Sequence, residues 1–194
     1  MIRSALIAIV ALALGGCAVQ RLPQYDTSRD TLTFLHRSHY PTIALGPFEG
    51  REINSLWFDD CSVIGGRDKK KAPELKPVAY AAYIRNALAR EMAVAGKYSE
   101  TNPAVTISAT IDRFTVSRKL PFRAYWNIGM TFTSSNGVTA RKSVSYEFDG
   151  DGIYGPASCR NAAAAFGPAV GQLVSTVIRS PEFAAMVRTP AKPS

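Results

Sequence analysis

His36 and His39 are the two histidines that the sequence offers for acid–base chemistry or metal binding. On a helix, their H-x-x-H spacing would let both imidazoles share a metal ion. Pro41 follows two residues later, no carboxylate lies close by in sequence, and the surrounding residues predict a tether, so we expect no metal site here. A Ser-His-Asp site also needs rigidly held partners, which a tether does not provide. The sequence therefore predicts no catalytic residues, no metal and no cofactor.

Two carboxylates alternate with glycine in Asp149-Gly150-Asp151-Gly152, as they do at the start of a calcium loop. The further ligands and the closing glutamate of such a loop are missing. The pattern therefore predicts a glycine-rich turn. No phosphate-binding loop or dinucleotide fingerprint occurs in the sequence.

The first sixteen residues have the organisation of a secretory signal peptide, with a positive charge at Arg3. The apolar run from Ala5 to Leu14 is well short of the ~20 residues that a membrane-spanning helix needs. It ends in Leu14-Gly15-Gly16-Cys17, which resembles the lipobox of bacterial lipoproteins. The resemblance implies cleavage before Cys17, acylation of its thiol and firm anchoring by three hydrocarbon chains. The alternative is an ordinary cleaved secretory signal.

Ala18 follows the predicted anchor, where an Asp would resemble an inner-membrane lipoprotein. In a Gram-negative cell, this resemblance implies an outer-membrane lipoprotein that faces the periplasm. Removal of 16 of the 194 residues leaves 178, which suits one domain with its own core. We predict a signal peptide over 1–16, a lipidated N-terminus and tether over 17–40, one α+β domain over 41–188 and a flexible tail over 189–194.

Lipidation of Cys17 would leave Cys61 and Cys159 as an even pair in an oxidising compartment. A disulfide between them would close a loop of about 98 residues, for which the chain-entropy estimate is roughly 4.7 kcal/mol. Two buried thiols or a metal pair are the alternatives. The even number of cysteines in this compartment favours the disulfide between Cys61 and Cys159.

The chain is basic, with 23 Lys and Arg against 15 Asp and Glu and a net charge of +8. Its densest basic run contains Arg67, Lys69, Lys70 and Lys71, between glycines and prolines. One interpretation is a patch for anionic lipid or glycan, which would require these residues to converge with Arg118, Lys119 and Arg123. The other interpretation, which we favour, is a solvated basic loop. Nucleic acid is not an expected partner of an exported chain.

Hydrophobic periodicity predicts an α+β fold, with a mainly antiparallel sheet of four to five strands and two main helices packed on one face. The predicted strands cover about 42–48, 52–58, 105–116, 122–132 and 138–148, with a bulge near Asp112 and a hairpin turn at Asn136-Gly137. The predicted helices cover about 77–95, a stretch from Cys159 to about 178 that Pro168 is expected to kink, and a short final turn after Ser180-Pro181.

Together with the lipobox, this order of elements resembles small periplasm-facing lipoproteins: the YajG type, the auxiliary lipoproteins of ABC-type lipid transporters and the lipopolysaccharide-assembly lipoprotein. The resemblance is carried by Leu14 to Cys17, by Leu45-Gly46-Pro47-Phe48, by the helix over 84–96 and by Ser180-Pro181-Glu182-Phe183. It implies an accessory or scaffold subunit of an envelope assembly or transport system, with an envelope protein as partner. The alternative is a binding module for anionic lipid or glycan. A hydrolase is the third hypothesis, and the absence of a connected acid, base and nucleophile set counts against it.

Overall fold

A computed structural model of the chain describes residues 23–50, 77–120, 122–150 and 156–189, with only the backbone described at 77–79, 118–120 and 156–159. Within these ranges the elements are α1 (Arg29–Arg37), β1 (Ile43–Gly50), α2 (Pro77–Val94), β2 (Val105–Leu120), β3 (Arg123–Ser134), β4 (Thr139–Asp149), α3 (Pro156–Ile178) and α4 (Pro181–Met186). The described strands form one sheet in the order β1-β2-β3-β4. The predicted α+β fold is confirmed.

The sheet is antiparallel from β2 to β4, as the sequence predicts, but β1 pairs with β2 in parallel. A parallel pair cannot be joined by a tight turn, and here α2 lies in the crossover between its two strands. The register of β1 shifts between Leu45 and Phe48, where Gly46-Pro47 interrupts the ladder. The register of β2 shifts between Ile111 and Arg113, which confirms the predicted bulge near Asp112.

β3 shows most directly how alternation along a strand forms the core. Its large buried side chains are Trp126, Ile128, Met130 and Phe132, which with Ala124 follow the predicted period-two pattern. Phe122, which the pattern places in the same set, precedes the strand and is exposed. The hairpin at Asn136-Gly137 is confirmed, and Gly137 has a φ of 88°, which glycine adopts without a steric penalty.

Lys142, which interrupts the apolar alternation of β4, is opposite Met130 on the inner face. Its Nζ lies 2.7 Å from Oε2 of Glu182 in the first turn of α4, and only 16% of its side chain is exposed. Lys142 therefore lies where α4 packs over the sheet.

The predicted helix boundaries agree with the structure. α2 ends at Val94, and Gly96 follows with a φ of 68°. Pro168 lies inside α3. Ser180 caps α4 by accepting a hydrogen bond from the backbone N–H of Phe183, and Pro181 is the first helical residue.

An aromatic cluster joins both main helices to the same face of the sheet. Phe166 of α3 lies 5.2 Å from Trp126 of β3 and 5.8 Å from Phe114 of β2, measured between ring centroids. Tyr80 of α2 lies 4.5 Å from Phe114 and 5.3 Å from Phe166. Aromatic pairs at these separations contribute beyond the burial of their area. The two main helices therefore pack on one face, as predicted.

One segment of the described chain, Arg160–Ile178 in α3, is long and apolar enough by composition to span a membrane. Most of this segment is buried inside the protein, including Phe166, Val170, Leu173 and Val177. Packing on the sheet accounts for its apolar character.

The predicted tether is wrong for residues 23–40, which pack on the domain and contain α1. The side chain of Ser28 caps α1 by accepting from the N–H of Thr31, and Asp30 lies in the first turn. Leu35 is fully buried. Nine residues give too short a periodic pattern to be conspicuous in the sequence, and this helix is stabilised by what it packs against.

Among the predicted elements, the signal peptide over 1–16, the strand at 52–58, the second half of the turn at Asp151-Gly152 and the tail beyond residue 189 lie outside the described residues.

Candidate functional site

The residues that the sequence analysis singled out for function lie almost entirely outside the described ranges. These are Leu14, Gly15, Gly16 and Cys17 of the lipobox, Cys61 of the disulfide, and Arg67, Lys69, Lys70 and Lys71 of the basic run. Cys159 lies in the first part of α3, where only the backbone is described. Lipidation, disulfide formation and convergence of the basic patch therefore remain predictions.

The feature that the structure adds is the docked segment, residues 23–40, which begins six residues after Cys17. It enters between α2 and α3, where the carbonyl of Pro23 accepts a hydrogen bond from Tyr83 Oη at 2.9 Å. A Cβ at Gly167 of α3 would lie 3.2 Å from Tyr83 Oη and 3.6 Å from Pro23 Cγ. Glycine at this position therefore allows the segment to lie close to the helix.

Glu91 of α2 holds the middle of the docked segment. Its Oε1 accepts a hydrogen bond from Tyr25 Oη at 2.8 Å and another from the backbone N–H of Ser28 at 2.7 Å. Ser28 is the N-cap of α1, so the carboxylate also lies at the positive end of that helix. These two hydrogen bonds join α2 to a segment more than sixty residues away in sequence.

This polar cluster is fully enclosed: Glu91 and Thr31 have no exposed surface. Glu91 Oε2 and Thr31 Oγ1 have no hydrogen-bond partner within the part of the chain that the structure describes. Burial, followed by the hydrogen bond to Glu91, raises the pKa of Tyr25 above its ordinary value. Tyr25 is therefore a protonated donor across the physiological range, and the cluster acts as a latch between α2 and the docked segment.

Aromatic contacts hold the C-terminal end of the docked segment on the domain. Tyr40 lies edge-on to Phe34 and Phe183, with centroid separations of 6.1 and 5.6 Å. The guanidinium carbon of Arg179 lies 5.7 Å from the centroid of Phe34. The docked segment thus runs along α2 and α3 from Pro23 toward α4.

At the other end of the sheet, the β2–β3 connection carries Phe122, whose side chain is 67% exposed. The carbonyl of Phe122 accepts a hydrogen bond from the N–H of Gly150 at 2.9 Å, which holds the turn against the end of β4. The adjacent Arg123 forms an ion pair with Glu147 at 3.2 Å. We call Phe122 and Arg123, at this end of the sheet, the β2–β3 tip.

The outer face of the sheet is polar and is not covered by any helix within the described ranges. Three small networks cross it, centred on Asn127, Glu147 and Asp112. Asn127 bonds Ser117 and Ser145, Glu147 accepts from Tyr125, and Asp112 accepts from Thr131 and pairs with Arg141. The hydrogen bond to Glu147 raises the pKa of Tyr125. This face offers hydrogen-bonding groups to a partner.

No group of three potential metal ligands occurs among the residues that the structure describes. His36 lies in the last turn of α1 and His39 lies just beyond it, both at the surface.

Sequence reasoning missed Glu91, although a signal was present. Glu91 lies four residues from both Ala87 and Ala95, which belong to the buried stripe of α2. A charged residue on a core-facing stripe indicates a partner that must approach it. The groups that contact Glu91 lie in residues 23–40, which were predicted to be a tether. Glu91 was therefore not assigned a role from the sequence.

No protein-family model and no curated relative matches the chain. Among solved structures, the chain is similar to a Xanthomonas campestris protein of the DUF330 family, with 12% identity and a TM-score of 0.46 over 80% of this chain and 90% of that one. It is also similar to a candidate lipoprotein from Caulobacter crescentus, with 13% identity and a TM-score of 0.41 over 80% of this chain and 91% of that one. Resemblance at this level does not extend to function.

Proposed function

We propose that this chain is a lipid-anchored protein of the bacterial envelope, held in the outer membrane through Cys17 and facing the periplasm. It acts as a non-catalytic accessory or scaffold subunit of an envelope assembly or transport system. The proposed location rests on the lipobox-like Leu14-Gly15-Gly16-Cys17 and on Ala18. The alternative, a binding module for anionic lipid or glycan, rests on the basic composition.

The observation that carries the proposal is the short distance between the anchor and the docked segment. Five residues separate Cys17 from Pro23. A fully extended chain rises at most ~3.3–3.6 Å per residue, so this connection reaches about 20 Å. With Cys17 lipidated, Pro23 is therefore confined to the neighbourhood of the bilayer, which suits a subunit that presents a surface at a fixed height.

The outer sheet face is the surface we propose for the protein partner. It is rich in Ser, Thr and Asn side chains, and the networks around Asn127 and Asp112 fix their positions. Polar side chains held in place lose little further freedom when a partner binds them.

The two edges of the sheet differ in a way that also favours docking on the β4 side. At the β1 edge, Arg85 donates to the carbonyls of Leu45 and Gly46, and residues 97–99 bond the backbone of Ile43. β4 is the opposite edge strand of the described sheet. An exposed edge can accept an extended segment of another chain.

Cys17→Ser tests the anchor. We expect the variant to leave the membrane fraction, because the modified thiol is the attachment point. Ser99→Cys, which adds a thiol outside the lipobox, serves as the control and is expected to leave fractionation unchanged. Full retention of Cys17→Ser in the membrane would refute the anchor.

Native mass spectrometry of the full-length protein, extracted from its own membranes in mild detergent, tests the role. A stoichiometric protein partner supports the accessory subunit. Retained phospholipid or lipopolysaccharide without a protein partner supports the alternative.

A matched pair of variants tests the partner surface. Ser143→Arg places a bulky charge on the outer sheet face, and Gln172→Arg places the same side chain on the exposed side of α3. We expect loss of the partner with Ser143→Arg alone. Equal retention by both variants would exclude this face.

A further inference from the structure

We propose that the β2–β3 tip contacts the surface of the bilayer that holds the lipid anchor, with the ring of Phe122 entering the headgroup region. This inference rests on the proposed anchoring through Cys17. It follows from where the docked segment begins, which way it runs and what the tip exposes.

The docked segment begins near the tip end of the sheet. Pro23 bonds Tyr83, whose ring centroid lies 5.0 Å from that of Phe166, and Phe166 in turn packs on Trp126. Trp126 is four residues from Phe122 along β3, about 13 Å at the usual rise of a strand. It is ten residues from the turn at Asn136, about 33 Å. Pro23 therefore lies beside the part of the helix layer that covers Trp126, which is the part of the sheet nearer the tip.

The direction in which the docked segment runs also places its beginning at the tip end of the sheet. From Pro23 it runs past Tyr25, which bonds Glu91, to Tyr40, which contacts Phe183 of α4. α4 lies at the opposite end, since the carbonyl of Met186 accepts hydrogen bonds from Ser134 and Asn136 at the β3–β4 turn. Followed backwards, the chain heads toward the tip end as it approaches Cys17. The reach of about 20 Å calculated above then keeps this end near the bilayer.

The chemistry of the tip suits a membrane surface. Phe122 is apolar and exposed, and the adjacent Arg123 is cationic. An exposed aromatic ring next to a cationic side chain is favoured where a protein lies in the interfacial region of an anionic membrane. Glu147 neutralises part of this charge by pairing with Arg123, so the aromatic ring is the principal contact.

A single exposed aromatic residue is ordinary on a protein surface. Phe122 differs in its place: its carbonyl accepts from the N–H of Gly150, which fixes its backbone at the end of the sheet near which the docked segment begins. Of the described residues, Phe122 and Val94 are the exposed large hydrophobic ones, and Val94 belongs to the far end of α2. The tip that faces the anchor thus presents the more exposed of the two.

Site-specific photocrosslinking to lipid tests this contact in the full-length lipidated protein. A diazirine-bearing phenylalanine analogue replaces Phe122 in one sample and Thr139, exposed at the opposite end of the sheet, in the other. Both samples are reconstituted into vesicles of phosphatidylethanolamine and phosphatidylglycerol, floated on a density gradient and irradiated. We expect several-fold more lipid adduct at position 122 than at position 139.

The outcomes separate the two proposals. If the protein floats but the two positions give equal yields, high or low, the membrane contact of the tip is overturned while the anchor stands. If position 122 yields protein adducts instead of lipid adducts in native membranes, the tip belongs to a protein interface. If the protein does not float, the anchor fails and the inference fails with it.

Discussion

The hydroxyl of Tyr25 donates to Oε1 of Glu91 at 2.8 Å, across 66 residues of sequence and in a fully buried setting. The backbone N–H of Ser28 donates to the same oxygen. This carboxylate is therefore one of the contacts that make the N-terminal stretch part of the domain.

Glu91→Ala should lower the free energy of unfolding by about 2–4 kcal/mol, because it leaves two buried donors unsatisfied and opens a cavity. Glu91→Gln keeps one acceptor oxygen and should lose less. Urea titration measures the change, and hydrogen exchange should show selective loss of protection over residues 29–37. Glu100→Ala, at an exposed carboxylate, is the control and should change stability by less than about 0.5 kcal/mol. Equal effects at Glu91 and Glu100 would contradict the latch.

The pair Cys61 and Cys159 remains a prediction that thermal unfolding can test. Cys61→Ser should lower the Tm under oxidising conditions, because the closed loop of about 98 residues restricts the unfolded chain. The Tm of the variant and the parent should agree once reductant is added. Cys159→Ser should give the same loss, and the double variant should add nothing further. A loss that persists in reductant would assign the residues to packing.

The pair formed by Lys142 and Glu182 gives the molecule an acid-sensitive contact. The hydrogen bond from Lys142 holds the pKa of Glu182 below its ordinary value of 4.5. Because this pKa is lower in the folded protein than in the unfolded chain, the ionised carboxylate stabilises the fold at pH values above the unfolded pKa. This stabilisation is lost as the pH falls through the folded pKa. Glu182→Gln should therefore have a lower Tm than the parent at neutral pH, and the difference should shrink as the pH falls below the ordinary pKa of 4.5 and vanish below the folded pKa. A Tm difference that is constant with pH would exclude an ionic origin.

Lengthening the connection to the lipid tests whether it positions the domain. Insertion of about ten Gly and Ser residues between Val19 and Gln20 would increase the reach of the connection without touching the docked segment. Acylation and flotation should be unchanged, while lipid crosslinking at position 122 should fall several-fold. Replacement of residues 19–22 with the same number of Gly and Ser residues is the matched control. Undiminished crosslinking after insertion would show that the tip does not depend on the short connection.

Local patterns were sufficient to predict most of the scaffold. The alternation through Trp126 and Phe132, the bulge near Asp112 and the cap at Ser180 each depend on neighbours in sequence, and each is confirmed. The parallel pairing of β1 was not predictable in this way. The direction of a strand pair is set by how α2 packs across the sheet, which no local pattern encodes.

The latch was missed for the same physical reason. Ser28 and Leu35 indicate a short helix, but nine residues are not stable alone. Their helix is stabilised by what it packs against, including Glu91, which is far away in sequence and accepts from the N–H of the N-cap residue Ser28. The predicted lipobox, disulfide and basic run concern residues that the structure does not describe, or describes only as backbone in the case of Cys159.

The close approach of Pro23 to Gly167 joins residues 144 positions apart. Pro23 packs against α3, one of the last elements of the chain, so this contact cannot form until nearly the whole polypeptide is present. If Cys17 carries lipid as proposed, attachment to the bilayer does not depend on this contact, whereas the height of the domain above the bilayer does. Attachment and positioning are then separate events, and the second requires a folded domain.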